Sequence, residues 1–132
     1  MSYLLDTNTC IRYVNGESEQ VRRRLASLPA ESVFLCSMVK AELLFGAAKS
    51  RSPDRARAAL HLFFAAFRSL PFDDAAATTY ATIRAGLERE GTPIGPNDLV
   101  IAATALANRA ILVTHNTREF GRVSGLGWED WE

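Results

Sequence analysis

Cysteine is almost missing from this 132-residue chain. Cys10 and Cys36 are the only two, each inside an apolar stretch. They form neither a disulfide framework nor a zinc-binding pattern, and both read as small core residues. Long apolar runs are missing as well: Leu62 to Phe67 and Ile101 to Leu106 are among the longest, far below the roughly 20 residues of a membrane-spanning helix. A soluble protein that does not enter a membrane is expected. The opening Met1-Ser2-Tyr3-Leu4-Leu5-Asp6 has no basic segment followed by an apolar run and a small-residue cleavage site, so the cytoplasm is the expected location. No repeat, linker or low-complexity stretch divides the chain, and one domain over residues 1–132 is expected. Net charge is missing too, because 15 basic and 15 acidic residues cancel. Whole-molecule attraction to a polyanion is thereby excluded, and any nucleic-acid contact must be local. Thirteen of the basic residues are arginine, which suits two-pronged phosphate recognition, although an arginine-rich genome is the simpler source of that ratio.

What is present is an alternation of strand and helix signals. Tyr3-Leu4-Leu5 is apolar, too short for a helix, and ends at a carboxylate, so it reads as a buried strand with Asp6 at its carboxyl end. Asn8 to Val14 reads as a short helix, and Glu17 to Leu28 as a second, with Val21, Leu25 and Leu28 at helical spacing and Pro29 as its stop. Ser32 to Cys36 is a second buried strand, and Ser37 is placed to cap a helix running to about Lys49. Ser52-Pro53-Asp54 starts the next helix, with Leu60, Phe63, Phe64 and Phe67 as its buried stripe. Leu70-Pro71-Phe72 is a third strand candidate. Asp73-Asp74 begins a helix that Gly91 ends. A strongly apolar helix runs from Asp98 to about Asn108, Ile111-Leu112-Val113 is a strand, and a short tail strand near Trp128 completes the set. The pattern predicts an α/β fold with a mostly parallel central sheet of four to five strands flanked by helices. In such sheets ligands bind beyond the carboxyl ends of the strands, where strand order reverses.

Three acids border apolar segments. Asp6 follows the first strand, Glu42 lies within Met38-Val39-Lys40-Ala41-Glu42-Leu43-Leu44-Phe45, and Asp98 stands ahead of Leu99-Val100-Ile101-Ala102-Ala103. Ionised carboxylates are costly to bury, so such positions imply a hydrogen-bond partner, a raised pKa or a bound cation. Helix capping accounts for Asp6 or Asp98 taken singly as well as function does. It does not account for Glu42, a mid-helix acid whose neighbours three and four residues away are Met38, Val39, Phe45 and Gly46. With a fourth polar group after Val113, where Asn116 and Glu119 stand, the acids could surround one pocket of oxygen ligands. Such pockets suit Mg2+ or Mn2+, and phosphodiester hydrolysis is their natural chemistry. The three acids are expected to titrate as a coupled group in the absence of metal, at least one being raised by its like-charged neighbours.

Four segments resemble, in order and spacing, the motifs of PIN-domain ribonucleases of the VapC toxin type. They are Leu4-Leu5-Asp6-Thr7-Asn8, Lys40-Ala41-Glu42-Leu43, Pro96-Asn97-Asp98-Leu99-Val100-Ile101-Ala102-Ala103, and Leu112-Val113-Thr114-His115-Asn116-Thr117-Arg118-Glu119-Phe120. Gly125-Leu126-Gly127-Trp128-Glu129-Asp130-Trp131 resembles VapC tails. The resemblance implies a PIN-like fold and a metal-dependent endoribonuclease acting on transfer or ribosomal RNA, neutralised by a cognate VapB-type antitoxin and assembled as a homodimer. It implies Asp6, Glu42 and Asp98 as ligands of one or two Mg2+ or Mn2+ ions. Many PIN domains carry aspartate where Asn116 stands, so the fourth acid is either absent or supplied by Glu119, and an amide oxygen can ligate magnesium without adding charge.

Asn8 and Thr114 are candidate phosphate or supporting groups, with ordinary turn bonding as the equal alternative. Arg118 and Arg122 flank the last motif, where a phosphate or an acidic antitoxin segment could approach. Arg22-Arg23-Arg24 reads as a solvated helix face, His115 is not needed as a general base beside a metal, and the Phe63 stripe reads as core or dimer surface. Two other functions compete. An aspartyl-phosphate phosphatase or phosphoacceptor would use Asp6, but Asn8 stands where it needs a second acid. A non-catalytic binding domain of the same fold leaves Glu42 unexplained.

Overall fold

The computed structural model describes residues 1–132. Five strands form one sheet: β1 (Tyr3–Leu5), β2 (Val33–Cys36), β3 (Arg68–Leu70), β4 (Ile111–Val113) and β5 (Trp128–Glu129). Their order across the sheet is β3-β2-β1-β4-β5, and every pairing is parallel, so the expected "mostly parallel" sheet is wholly so. Seven helices flank it: α1 (Thr7–Val14), α2 (Glu19–Ala26), α3 (Ser37–Ala48), α4 (Pro53–Ala65), α5 (Asp74–Arg89), α6 (Pro96–Ala107) and α7 (Thr117–Phe120). Parallel strands need crossover connections, and the helices that make them cover both faces, which is why β1 is buried at every position.

The chain lays down β1, β2 and β3 outward on one side. It then crosses back through α5 and α6 to place β4 on the free edge of β1. Strand order therefore reverses between β1 and β4, whose register pairs Leu5 with Val113. Directly beyond that pair stand Asp6 and Thr114. The turn that redirects the chain after α5 uses Gly91, at φ +69°. Its N–H reaches the Glu88 carbonyl at 3.1 Å and Thr92 N–H reaches the Leu87 carbonyl at 2.9 Å, a helix end that a left-handed residue closes.

Local boundaries differ from the sequence expectation where side chains found better partners. The third strand lies at Arg68–Leu70, two residues early, because Pro71 has no N–H to give a ladder. Ser37 is the first residue of α3 rather than its cap. Ser18, whose hydroxyl accepts from Val21 N–H at 3.2 Å, sets the start of α2 at Glu19. Arg22 and Arg23 do pair with Glu19 on the solvated face. Arg24 does not belong there: its guanidinium lies 5.5 Å from the Tyr3 ring and 5.4 Å from the Trp131 ring, pinning the tail to β1.

Candidate active site

Asp6 is the first residue beyond β1 and is 5% exposed. It caps α1, accepting from Thr9 N–H at 2.8 Å, so the capping role that sequence offered as an alternative is real and leaves the second carboxylate oxygen free of that duty. Thr114, the first residue beyond β4 and fully buried, takes Asn116 N–H on its hydroxyl oxygen at 2.9 Å and hydrogen-bonds Asp6. Burial raises the Asp6 carboxyl above its ordinary range, and the bonds from Thr114 and Thr9 oppose that rise.

Glu42 projects from the middle of α3 and is held at both oxygens. Thr7 donates its hydroxyl to Oε1 at 2.6 Å, and Asn97 donates its amide to Oε2 at 3.3 Å. Asp98 lies in the first turn of α6, after Gly95 and Pro96. Glu119, from α7, accepts from Gly95 N–H at 2.8 Å and from the Asn116 amide at 2.9 Å. A side chain built at Gly95 would stand 3.7 Å from Asp98 Oδ2 and 3.9 Å from Glu119 Oε1, so both carboxylates adjoin one backbone position.

The electrostatics follow from this crowding. The Asp98 carboxyl is pushed up to about 6, first by burial and then by the charges of Glu119, Glu42 and Asp6. Four acids drawn from α1's cap, α3, α6 and α7 thus meet in one field. Burial is the larger cause, and the like-charged neighbours expected from sequence add to it. Glu119 behaves oppositely: the Asn116 and Gly95 bonds hold it below its usual range. A concentration of carboxylates, one buried and three half-buried, with Arg122 the one cation felt by Glu119, fits a hard divalent cation, and its donors are all oxygen.

The family of this fold follows from comparison with known proteins. Residues 3–126 match the PIN domain. The chain belongs to the PIN-domain family. It is similar to other PIN proteins over its whole length: 42% identical over 131 residues to the tRNA(fMet)-specific endonuclease VapC of Shigella flexneri, covering 99% of this chain and 98% of that one. It is 35% identical over 133 residues to Ribonuclease VapC2 of Rickettsia felis, covering 100% and 99%. Among solved structures it matches a chain of the DNA-bound VapBC complex from Salmonella typhimurium with a TM-score of 0.94 at 38% identity, covering 100% of this chain and 99% of that one.

Within this PIN fold, the remaining residues singled out by sequence divide into two groups. Asn8 and Asn116 line a polar groove with Arg12, His115 and Glu132. Arg118 is exposed on α7, and Arg122 donates to the Pro93 carbonyl at 2.9 Å, so it buttresses the loop ahead of α6. His115 Nδ1 lies 2.9 Å from Asp130. With Glu132 these two form a separate group of metal-type side chains, but Glu132 already pairs with Arg12 at 2.9 Å. Sequence reasoning gave no role to Thr7, Asn97 or Glu132. Thr7 and Asn97 were within reach, each adjoining a site acid in the chain. Glu132, whose charge adds to the rise at Asp6, stands at the far end of the chain and carried no such signal. No helix is long and apolar enough to cross a membrane.

Proposed function

We propose that this chain is a metal-dependent endoribonuclease, the toxin of a toxin–antitoxin pair, which hydrolyses phosphodiester bonds in tRNA or another structured RNA and so inhibits translation. One observation carries this reading: Asp6, Glu42, Asp98 and Glu119, from four separate parts of the chain, converge at the strand reversal of a PIN fold, and their charges add to the burial that raises Asp98. The names of its relatives, ribonucleases and tRNA endonucleases, support the substrate class, and it would act in the cytoplasm, with that RNA. Residues 1–132 would work as one domain.

In this reading Asp6, Glu42 and Asp98 hold Mg2+ or Mn2+, with Asn116 or Glu119 completing the set. Bound there, the ion supplies charge neutralisation for the scissile phosphate and activation of water. The chain's own part is positioning. Thr7 and Asn97 fix the Glu42 carboxylate, Thr114 fixes Asp6, and the first turn of α6 presents Asp98. Asn8, Arg118 and Arg122 are the groups assigned to RNA, Arg122 by way of its hold on the Pro93 loop, whereas Thr114, fully buried, is left the supporting role that sequence offered as its alternative. A VapB-type antitoxin is the proposed partner, on the strength of the VapBC complexes that match this fold, and the assembly is proposed to contain a homodimer.

The rival phosphoacceptor reading is disfavoured because Asn8 stands where it needs a second acid and because the relatives are ribonucleases. The test is cleavage of purified tRNA by metal-free protein, with and without Mg2+ or Mn2+, for the wild type and for Asp6→Asn, Glu42→Gln and Asp98→Asn. Activity should require the ion and disappear in each variant while circular dichroism stays native. Undiminished cleavage in excess chelator, or by all three variants, would remove the reading.

A further inference from the structure

The polar groove lined by Asn8, Arg12, His115, Asn116 and Glu132 has no apolar wall. Two of the segments that form it start at the site. Asn8 stands two residues after Asp6 in the first turn of α1, and His115 directly follows Thr114, which hydrogen-bonds the Asp6 carboxyl. Arg12 and His115 are both exposed, yet each is fixed on one side by an acid of the tail. Arg12 donates from Nε to Glu132 Oε1 at 2.9 Å, and His115 Nδ1 lies 2.9 Å from Asp130 Oδ2. Asp130 also accepts from Glu132 N–H at 3.0 Å, so the two holders are tied to each other. A carboxylate has no proton to give, so the hydrogen of that contact sits on Nδ1, and in the neutral imidazole Nε2 is then an acceptor. Arg12 keeps the hydrogens of Nη1 and Nη2, part of the planar fork that matches phosphate oxygens. One groove thus offers a phosphate donor and, beside it, an acceptor for a hydroxyl. A phosphate with a hydroxyl on the adjoining sugar is the backbone of RNA, whereas DNA has the phosphate alone.

We propose that this groove seats one ribonucleotide of the substrate next to the cleaved bond: the Arg12 guanidinium holds its phosphate and His115 Nε2 accepts the hydrogen of its 2′-hydroxyl, so that His115 selects RNA over DNA. This rests on the ribonuclease reading above and adds to it the residue that recognises the sugar. His115 takes no part in the hydrolysis; Asp130 sets its tautomer, and Glu132 sets the direction of the Arg12 fork. A carboxylate-rich peptide in the same groove would use Arg12 and leave the His115 acceptor without a partner.

The test is Mn2+-dependent cleavage of purified tRNA by the intact chain, with a short oligouridylate and the matching oligodeoxyuridylate as competitors. These two differ only in the 2′-hydroxyl. The wild type should be inhibited more strongly by the ribose form. In His115→Ala that advantage should shrink about fivefold, the scale of one hydrogen bond, while inhibition by the deoxy form stays where it was. Arg12→Ala should weaken both competitors alike and raise KM for tRNA about tenfold with kcat little changed, as for a lost charged hydrogen bond. It should also flatten the dependence of log KM on log salt by about 0.7–0.9, the slope of one phosphate contact. An unchanged ribose advantage in His115→Ala overturns the proposal. So does an equal loss for both competitors in that variant, because it would reduce His115 to a staple for the tail. A wild-type salt slope in Arg12→Ala overturns the phosphate contact and the proposal with it. If the wild type cleaves no tRNA with Mn2+, this proposal and the ribonuclease reading fall together; cleavage by a wild type that makes no distinction between the two competitors sinks this one alone.

Discussion

Replacing Asp98 with asparagine should stabilise the metal-free protein at neutral pH, although it is expected to abolish activity. The Asp98 carboxyl is raised from 3.8 to about 6, chiefly by burial and then by three neighbouring acids. A carboxyl that holds its proton more tightly when folded makes folding less favourable as pH rises from 3.8 to about 6, and the loss persists above that window. At about 1.4 kcal/mol per pH unit this is a cost of about 3 kcal/mol, which falls to about 1.5–3 once partial solvent access to Asp98 is allowed for. The negative charge also gains about 0.3–1 kcal/mol from the first turn of α6, which asparagine forfeits. Burial and repulsion win, leaving a net gain of about 1–2 kcal/mol, or about 4–8 °C in Tm for a chain of this size. The assay is thermal unfolding in chelator from about pH 4 to about pH 8, the span over which the linkage acts. Asp98→Asn should melt well above the wild type at neutral pH, and the difference should vanish at the acid end. Saturating Mn2+ should then raise the wild type by up to about 3 kcal/mol at about a hundred times its Kd and leave the variant where it was. A variant that melts at or below the wild type at neutral pH would show that the acids do not burden one another, and the reasoning would fail.

Two further outcomes test neighbouring parts of the structure. Thr7→Val removes the 2.6 Å bond to Glu42 at nearly constant volume. Turnover should fall roughly tenfold for a lost hydrogen bond to a charged group, with KM for RNA little changed, and undiminished turnover in steady-state kinetics would deny Thr7 its positioning role. Arg24→Ala strips the guanidinium from between Tyr3 and Trp131 and from its 3.5 Å pairing with Glu129. Denaturant unfolding should report a loss of about 1–2 kcal/mol, and a change within about 0.5 kcal/mol would return Arg24 to the solvated face that its sequence context suggested.

Much of the architecture was legible because it is written locally. Apolar runs of three or four residues ending at polar ones mark strands, and proline and glycine punctuate the helices between them. The boundaries that moved did so where one residue's hydrogen-bonding capacity decided: Pro71 could not extend β3, and Ser18 displaced Glu17 as the start of α2. The candidate site was legible in part for the same reason, since Asp6 and Asp98 sit at the ends of strongly patterned segments and Glu42 interrupts an apolar one.

The amino-acid sequence by itself determined which acids are exceptional, because an acid among apolar neighbours betrays itself without coordinates. Only the tertiary structure decided how each is held. Thr7 and Asn97 meet Glu42 across 35 and 55 positions, and Glu119 meets Gly95 across 24. Hydrogen bonds of that span are set by the reversal of strand order between β1 and β4 and by the crossover of α6 beside α3 and α5. No window of local sequence contains both partners of such a bond, so their roles become visible only when the sheet has closed.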